Sequence, residues 1–572
     1  MIRLQACPKQ YTQDLDKAIS PEETSQRVQA KLAASGLDVL ATVRRVDVGR
    51  LGIPVYLSVC GKDARRIMPT RKQMGKGSSA EQARASAMME LMERYAFFSF
   101  WESMPDMVYA TWSEAEARFG KELLPLAEIT KSVNDALPLE KARQAMDLVR
   151  WHFYPATCLG TGKRTWLPLD WFKLLSEFNG TSAGNTQEES LLQGVCELLE
   201  RHTCCLIDRA RPAVPTIDPA SIADPVLCDL LHKFTAQGLH IVLKDFSCGM
   251  PAPTVGAVAW DESTFPERSE IVFTAGTAAT PAKAAIRAVT EVAQLGGDFC
   301  TSACYEASGL PKFQQLEDIQ WLLCGESLPL SSLPSVESND ICQELLAVVA
   351  GLEAQGYSTY AVQTTHPMLE IPAHYTIIPG MAFRERDKNQ SVGLFVGRKL
   401  TEEANADAAQ AGLAVLAACY PQGHFIPFFE GMLALRAEEF DNARACFLRA
   451  APVQPEEEAQ ALAFFYAGYT YTLQEQWAQA QPLLEQAFAL CPEMKEYGNL
   501  NGVALFKMQR YAEAAQVFEA VLKIDKGSVM DIANLGLCYS HLGKNEAARH
   551  HLQAALAIDP TLEFASRALA AL

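Results

Sequence analysis

At 572 residues, 49% of them hydrophobic, the chain is long enough for roughly two to four domains with sizeable cores. Its 50 basic and 68 acidic residues give a formal net charge of −18, which argues against a general nucleic-acid-binding surface, since that needs a basic face. No uncharged run of about 18 apolar residues marks a membrane span, and the opening MIRLQACPKQYTQDLDK lacks the apolar stretch of a signal peptide. The chain is therefore expected in the cytoplasm, in contact with neither nucleic acid nor membrane.

In chain order, Ser20-Pro21-Glu22-Glu23 reads as a capping box with proline at the first helical position, opening a helix through about Ala34. VLATVRRVDV and IPVYLSVC read as strands, and a glycine-flanked lysine, Lys76, follows in MGKG (74–77). SAMMELMER then sets Ser86, Glu90, Glu93 and Arg94 on one face of a helix, because residues three and four apart are neighbours there. Met88, Met89, Leu91 and Met92 fill the remaining positions. The pattern returns in GVCELLER as Glu197, Glu200 and Arg201, preceded by Ser182, Asn185 and Glu189. HIVLKDFS and PTVGAVAW read as strands, and RAVTEVAQ places Arg287, Glu291 and Gln294 on one further helix face. Between 308 and 339 the chain turns leucine-, serine- and proline-rich, which reads as a surface excursion.

One acidic segment of this kind is ordinarily a helix with an internal ion pair. Two matched copies with apolar neighbours are a stronger signal. Paired carboxylates on buried faces need cations, so two such helices facing each other would make a magnesium site.

The sixteen cysteines are scattered and form no CxxC pair, which points to buried reduced thiols. That reading outweighs a persulfide carrier at Cys204, Cys205, Cys300 or Cys304. No Cys/His set has zinc spacing.

The last third repeats. Gly431, Gly468, Gly502 and Gly536 are spaced by 37, 34 and 34 residues. Ala443, Ala480, Ala514 and Ala548 follow at twelve residues, and Phe447, Leu484, Phe518 and Leu552 at sixteen. Ala450, Ala487, Val521 and Ala555 follow at nineteen. Pro455, Pro492 and Pro560 close three units, and Lys526 breaks the pattern in the third. This is the tetratricopeptide pattern, with small residues where two helices cross and large ones where repeats stack. Four helix pairs are expected over 421–572.

Taken together, Pro8-Lys9, GRLGIPVY ending at Tyr56, MGKG, the three polar patterns and IIPG (377–380) resemble the YcaO family across about the first 395 residues. The phosphate-binding motif G-x-x-x-x-G-K-[ST] of common ATPases is absent, as the resemblance requires. It implies an α+β YcaO-type ATP-binding domain over 1–395, then a helical connector over 396–420, then the all-α tetratricopeptide solenoid over 421–572. It also implies ATP and Mg2+ as cofactors. By position it makes Glu90, Glu93, Glu197 and Glu200 the magnesium-binding carboxylates. Lys9, Lys76, Ser86, Arg94, Ser182, Asn185, Glu189, Arg201, Arg287, Glu291 and Gln294 would form the nucleotide pocket. No catalytic residue is assigned.

Family enzymes use ATP to phosphorylate the oxygen of a peptide-backbone amide, after which an external sulfide gives a thioamide or a neighbouring side chain gives an azoline. Many ring-forming members carry a proline-rich tail and a separate peptide-recognition domain. Here SRALAAL closes the sequence and residues 1–70 lead directly into the catalytic pattern. The expectation is therefore thioamide formation on a peptide or protein, with a sulfur-donor or helper protein, repeat-mediated protein contacts and a homodimer. The alternatives are an accessory factor that binds ATP and recruits partners, as a relative does in ribosomal protein methylthiolation, and an azoline-forming cyclodehydratase.

Overall fold

Three helices share one kind of opening. Ser79, Thr186 and Thr280 each accept a hydrogen bond from the backbone N–H three residues on, that of Gln82 (3.1 Å), Glu189 (3.2 Å) and Lys283 (3.4 Å). Such caps satisfy donors that a helix start leaves without partners. The helices they open are Ala80–Ser103, Gln187–Ala210 and Pro281–Leu295. The structure, a computed structural model, describes every residue of the chain except 105, 134, 266–270, 300–312, 314, 385–388, 526–527 and 560–561. The helix expected after Ser20 runs Pro21–Ser35, with both bonds of its capping box present.

The chain divides into two units, Met1–Asn134 with Arg150–Lys388 and Asp135–Val149 with Asn389–Leu572. The first unit holds three sheets. A three-stranded antiparallel sheet runs Leu40–Arg45, Val55–Cys60, Lys72–Lys76. A five-stranded sheet has the order Ile271–Thr277, Thr254–Trp260, His240–Asp245, Thr216–Ile217, Ser327–Leu328, and only its last pair is parallel. Thr254–Trp260 is buried at every position, as its unbroken run of apolar and small residues dictates for a strand covered on both faces. The third sheet runs Val108–Ala110, Trp151–Cys158, Tyr360–Gln363, Ala373–Ile377, Thr181–Ala183, with Arg164–Pro168 paired to Trp151–Cys158.

Glycine brings strands against the capped helices. A Cβ on Gly75 would stand 2.0 Å from the backbone nitrogen of Ala87, so only glycine lets Lys72–Lys76 lie this close to Ala80–Ser103. Gly276 does the same for Pro281–Leu295, where a Cβ would meet Ala284 O at 2.4 Å. Behind Pro281–Leu295, Ile286, Val289 and Val292 pack with Val255, Ala257 and Val272 of the sheet in one hydrophobic core.

The stretch expected as a surface excursion is mostly exposed where it is described, but four apolar residues anchor it. Of its described residues, Ile319, Leu322, Leu330 and Leu333 are buried in two cores, and Ser327–Leu328 forms the fifth strand of the five-stranded sheet. The prolines and serines are compatible with short turns, while the leucines between them supply apolar anchors that burial rewards at about 1.5–3 kcal/mol each. Cys300 and Cys304 lie outside the described residues.

In the second unit, Leu139–Met146 packs with Val392–Glu403 and Ala406–Cys419. Asp135 ties them together, accepting hydrogen bonds from Val392 N (2.9 Å) and the Tyr420 hydroxyl (2.5 Å). Four helix pairs follow: Phe425–Arg436 with Phe440–Ala450, Glu457–Leu473 with Trp477–Leu490, Lys495–Lys507 with Tyr511–Ile524, and Val529–His541 with Asn545–Ile558. In each pair the periodic glycine faces the periodic large residue. A Cβ on Gly431, Gly468, Gly502 or Gly536 would come within 3 Å of Phe447, Leu484, Phe518 or Leu552 respectively. All twelve partner positions read from the sequence, from Ala443 to Ala555, are fully buried. Lys526 and Pro560 lie outside the described residues.

Candidate nucleotide and metal site

The three capped helices present their polar residues in one register. Ser86, Glu90 and Glu93 stand seven, eleven and fourteen residues after the cap Ser79. Gln193, Glu197 and Glu200 stand at the same distances from Thr186, and Arg287, Glu291 and Gln294 from Thr280. Offsets of four and three keep each trio on one helix face. All nine side chains line one cavity of about 260 Å³, together with Lys76, Arg94, Asn185, Glu189 and Arg201. Gln193 escaped the sequence reading; only its register from the cap, shared with Ser86 and Arg287, could have disclosed it.

Neighbouring groups hold the carboxylates in place. The Arg94 guanidinium lies 3.0 Å from Glu93 and 3.8 Å from Glu90, and stacks 4.0 Å above the Phe178 ring. Thr181 Oγ1 donates to Glu93 at 2.9 Å and accepts from Arg94 Nη1 at 3.0 Å. Glu197 accepts from the backbone N–H of Gly180 at 3.3 Å and pairs with Arg201 at 3.5 Å. Glu200 accepts from the backbone N–H of Thr277 at 3.0 Å. Lys76 is ion-paired with Glu291, and Arg287 Nη1 donates to Gln193 at 3.0 Å. Asn185 Nδ2 donates to Glu189 (3.2 Å) and Thr24 (3.0 Å), and Glu189 also receives the N–H of Ala18 (3.1 Å) and the ammonium of Lys17 (3.4 Å).

Two sequence candidates lie off this cavity wall. Lys9 is buried between Asp16 (2.7 Å) and Glu344 (2.6 Å), which together hold its ammonium above the ordinary lysine range despite burial. Ser182 is fully buried on its strand, 3.2 Å from the Ser190 hydroxyl.

The electrostatics are those of a site short of positive charge. Burial pushes the carboxyls of Glu90, Glu93 and Glu200 up from the usual carboxylate range, and Glu197 pushes each of them further. Burial likewise holds the Lys76 ammonium down at about 8, with Arg287 adding to the depression. Within the wall, Arg287 Nε and Gln294 Oε1 are buried without a hydrogen-bond partner among the described residues. Orphaned groups of this kind cost about 1–3 kcal/mol each unless something binds them. A nucleotide offers both a donor and acceptors, and a divalent cation offers what the glutamates lack.

Among the described residues no three His, Cys, Asp or Glu side chains form a ready-made ligand cage. Mg2+ takes one or two carboxylates and completes its octahedron with phosphates and waters.

Comparison with known proteins agrees with this chemistry. The profile described as YcaO cyclodehydratase, ATP- and Mg2+-binding, matches residues 74–382, more than half of the chain. The chain belongs to the YcaO family. ATP and Mg2+ are thus the cofactors of the YcaO domain, and the three-helix cavity lies wholly within the first unit. A tetratricopeptide-repeat profile matches 532–562. An uncharacterized protein of Methanothermobacter thermautotrophicus is 29% identical over 294 residues, 49% of this YcaO chain and 70% of its own length. An uncharacterized protein in the tfuA 3′ region of Rhizobium leguminosarum bv. trifolii is 26% identical over 393 residues, covering 64% and 88%. In fold, the chain resembles YcaO from Methanopyrus kandleri bound with AMPPCP and Mg2+, with a TM-score of 0.50 at 20% identity over 67% of this chain and 100% of that one. It also resembles a heterocyclase in complex with substrate and cofactor, with a TM-score of 0.54 at 20% identity over 67% of this chain. It spans only 54% of that heterocyclase's length.

Proposed function

We propose that this YcaO protein uses ATP and Mg2+ to phosphorylate the oxygen of a peptide-backbone amide, and that a sulfide nucleophile then makes a thioamide in a peptide or protein. The observation that carries the reading is the convergence of nine register-matched side chains from three helices on one cavity, with two of their buried polar atoms unpaired among the described residues.

A peptide amide is a poor electrophile and its oxygen a poor leaving group. Hydrosulfide adds to the carbonyl carbon, the oxygen takes the γ-phosphoryl group, and hydrogen phosphate leaves as the C=S bond forms. ATP, hydrosulfide and amide become ADP, phosphate and thioamide, with no change in oxidation state. Phosphoryl transfer of this kind depends on positioning and charge neutralisation. Glu90, Glu93, Glu197 and Glu200 would hold Mg2+, which when bound neutralises charge on the transferring phosphates. Arg94, Arg201 and Arg287 would face phosphate oxygens, and Lys76 would exchange Glu291 for a phosphate. Ser86, Asn185, Glu189, Gln193 and Gln294 would complete the nucleotide pocket. Lys9 and Ser182 would act from behind the wall by fixing the segments that carry it.

A second cavity of about 190 Å³ shares Glu200, Arg201 and Glu291 with the first. The family description favours the other product, an azoline, through the word cyclodehydratase. The tetratricopeptide pairs would recruit the substrate protein or the sulfur donor.

Mass spectrometry of proteins recovered with this chain, compared with a strain lacking it, tests the reading. A backbone heavier by about 16 Da (sulfur for oxygen) supports thioamide formation, and one lighter by about 18 Da supports the azoline. Partners without any mass change that depends on this protein would overturn both.

A further inference from the structure

Where Gln187–Ala210 lies on the third sheet, the contact is polar although it is closed to solvent. Ser190 of the helix, Ser182 of Thr181–Ala183, and His374 and Thr376 of Ala373–Ile377 are all fully buried there. Ser182 and His374 are partners across the ladder, and Thr376, two residues on, turns its side chain to the same face. Gly194, one turn after Ser190, admits the helix to this seam. A Cβ on it would stand 2.7 Å from Thr376 Oγ1 and 2.9 Å from Ser182 Oγ.

The donors follow from the network. Ser190 Oγ gives its single proton to the carbonyl oxygen of Ser182 at 3.0 Å. His374 Nδ1, 3.0 Å from Ser190 Oγ, and Ser182 Oγ, 3.2 Å from it, must then donate to it. The imidazole therefore carries its proton on Nδ1, and burial, which holds the ring down at about 4, keeps it neutral. Its Nε2 is left a bare acceptor. Both Nε2 and Thr376 Oγ1 are buried without a hydrogen-bond partner among the described residues.

An apolar side chain at position 374 would avoid the cost of that unpaired nitrogen, so packing alone does not account for the histidine. What the seam does hold is the geometry of the site. Glu189 and Gln193 immediately precede Ser190 and Gly194, so cavity face and seam face lie about 100° apart on one helix. Ala183 and Asn185, which follow Ser182, share the cavity wall with Glu189 and Gln193. Apolar contacts let a helix roll with little loss, whereas a directional bond fixes one orientation.

We propose that His374 is a positioning residue: its bond to Ser190 sets the roll of Gln187–Ala210, and so the direction in which Glu189, Gln193, Glu197 and Glu200 face the nucleotide. The inference rests on the three-helix cavity as the MgATP site and is independent of the product made there.

Substitutions in the full chain test it, by isothermal calorimetry with MgATP and by thermal melting. His374→Leu keeps roughly the histidine's volume and offers no donor, whereas His374→Asn is smaller and keeps a donor where Nδ1 stands. If His374 only filled space, asparagine, which leaves a void, would be the worse in both measurements. A positioning role reverses the order in affinity. His374→Leu should bind MgATP about tenfold more weakly than wild type, the loss expected when one directional bond fails. His374→Asn should stay within about threefold of wild type while melting below His374→Leu. Ser190→Ala should match His374→Leu, and the two combined should lose no more than either alone, which decides the matter should His374→Asn not fold. Wild-type affinity in His374→Leu, affinities that follow the melting temperatures, or additive losses in the double variant would overturn the proposal. Glu197→Ala is measured beside them. Wild-type affinity in that variant would remove the cavity assignment itself, and the role of His374 with it.

Discussion

Replacing Glu197 with alanine tests the proposed metal site most directly. The Glu197 side chain is 15% exposed, with Arg201 at 3.5 Å. At an effective dielectric of about 20, two unit charges 4 Å apart interact by about 4 kcal/mol, so a divalent cation and one carboxylate interact by about 8. Water filling the gap returns a ligand to the ion, and the loss also relieves the repulsion that Glu197 exerts on Glu93. Against this, Arg201 loses its partner and repels the cation. Discounting the Coulomb figure by about two-thirds leaves about 3 kcal/mol, or roughly a hundredfold in affinity. Isothermal calorimetry with MgATP should show that loss, and ATP with chelator should bind wild type and variant within about threefold. Circular dichroism should show the helical repeats intact. Wild-type MgATP affinity in Glu197→Ala would refute the assignment.

Two further outcomes follow from the same physics. A carboxyl whose folded value lies above its unfolded one stabilises the fold below about pH 4.5, and that contribution is lost as pH rises through the folded value, about 8 for Glu93. Lys76, depressed to about 8, acts only above that window. Mg2+ with ATP should therefore raise the melting temperature more at about pH 8 than at about pH 6, and an equal rise at both would count against these carboxyls as the ligands. In the repeats, Phe518 is fully buried against Gly502, so Phe518→Ala should cost about 3–5 kcal/mol in urea unfolding followed by helical circular dichroism. A loss below about 1 kcal/mol would mean that the repeats do not unfold as a coupled array.

What the sequence disclosed, and what it hid, follows from the range of each signal. Glu90 with Glu93, and Glu197 with Glu200, were legible because three- and four-residue spacings fix a helix face without any tertiary knowledge. The repeats were legible because Gly431, Gly468, Gly502 and Gly536 recur at a nearly constant period. Gln193 was hidden because glutamine carries no charge to stand out, and its place shows only once Thr186 is known to cap the helix. Lys9 and Ser182 were drawn from chain position, and the folded chain puts Glu344 and Ser190 in contact with them, partners far from Lys9 and eight residues from Ser182. The burial of Leu330 and Leu333 was hidden because prolines and serines dominate local composition, whereas burial is decided by the sheet that receives the leucines.

The common register of the three capped helices also sets which changes the site can absorb. Exchanging one residue type for another at any of the nine positions alters chemistry and leaves the geometry alone. Adding or deleting a single residue between Thr186 and Glu197 turns everything beyond it by about 100° about the helix axis. Such a change would carry Glu197 and Glu200 together off the cavity and bring apolar neighbours such as Leu198 and Leu199 into it. The span from each cap to its fourteenth residue therefore acts as a fixed ruler, within which a change of length is not absorbed.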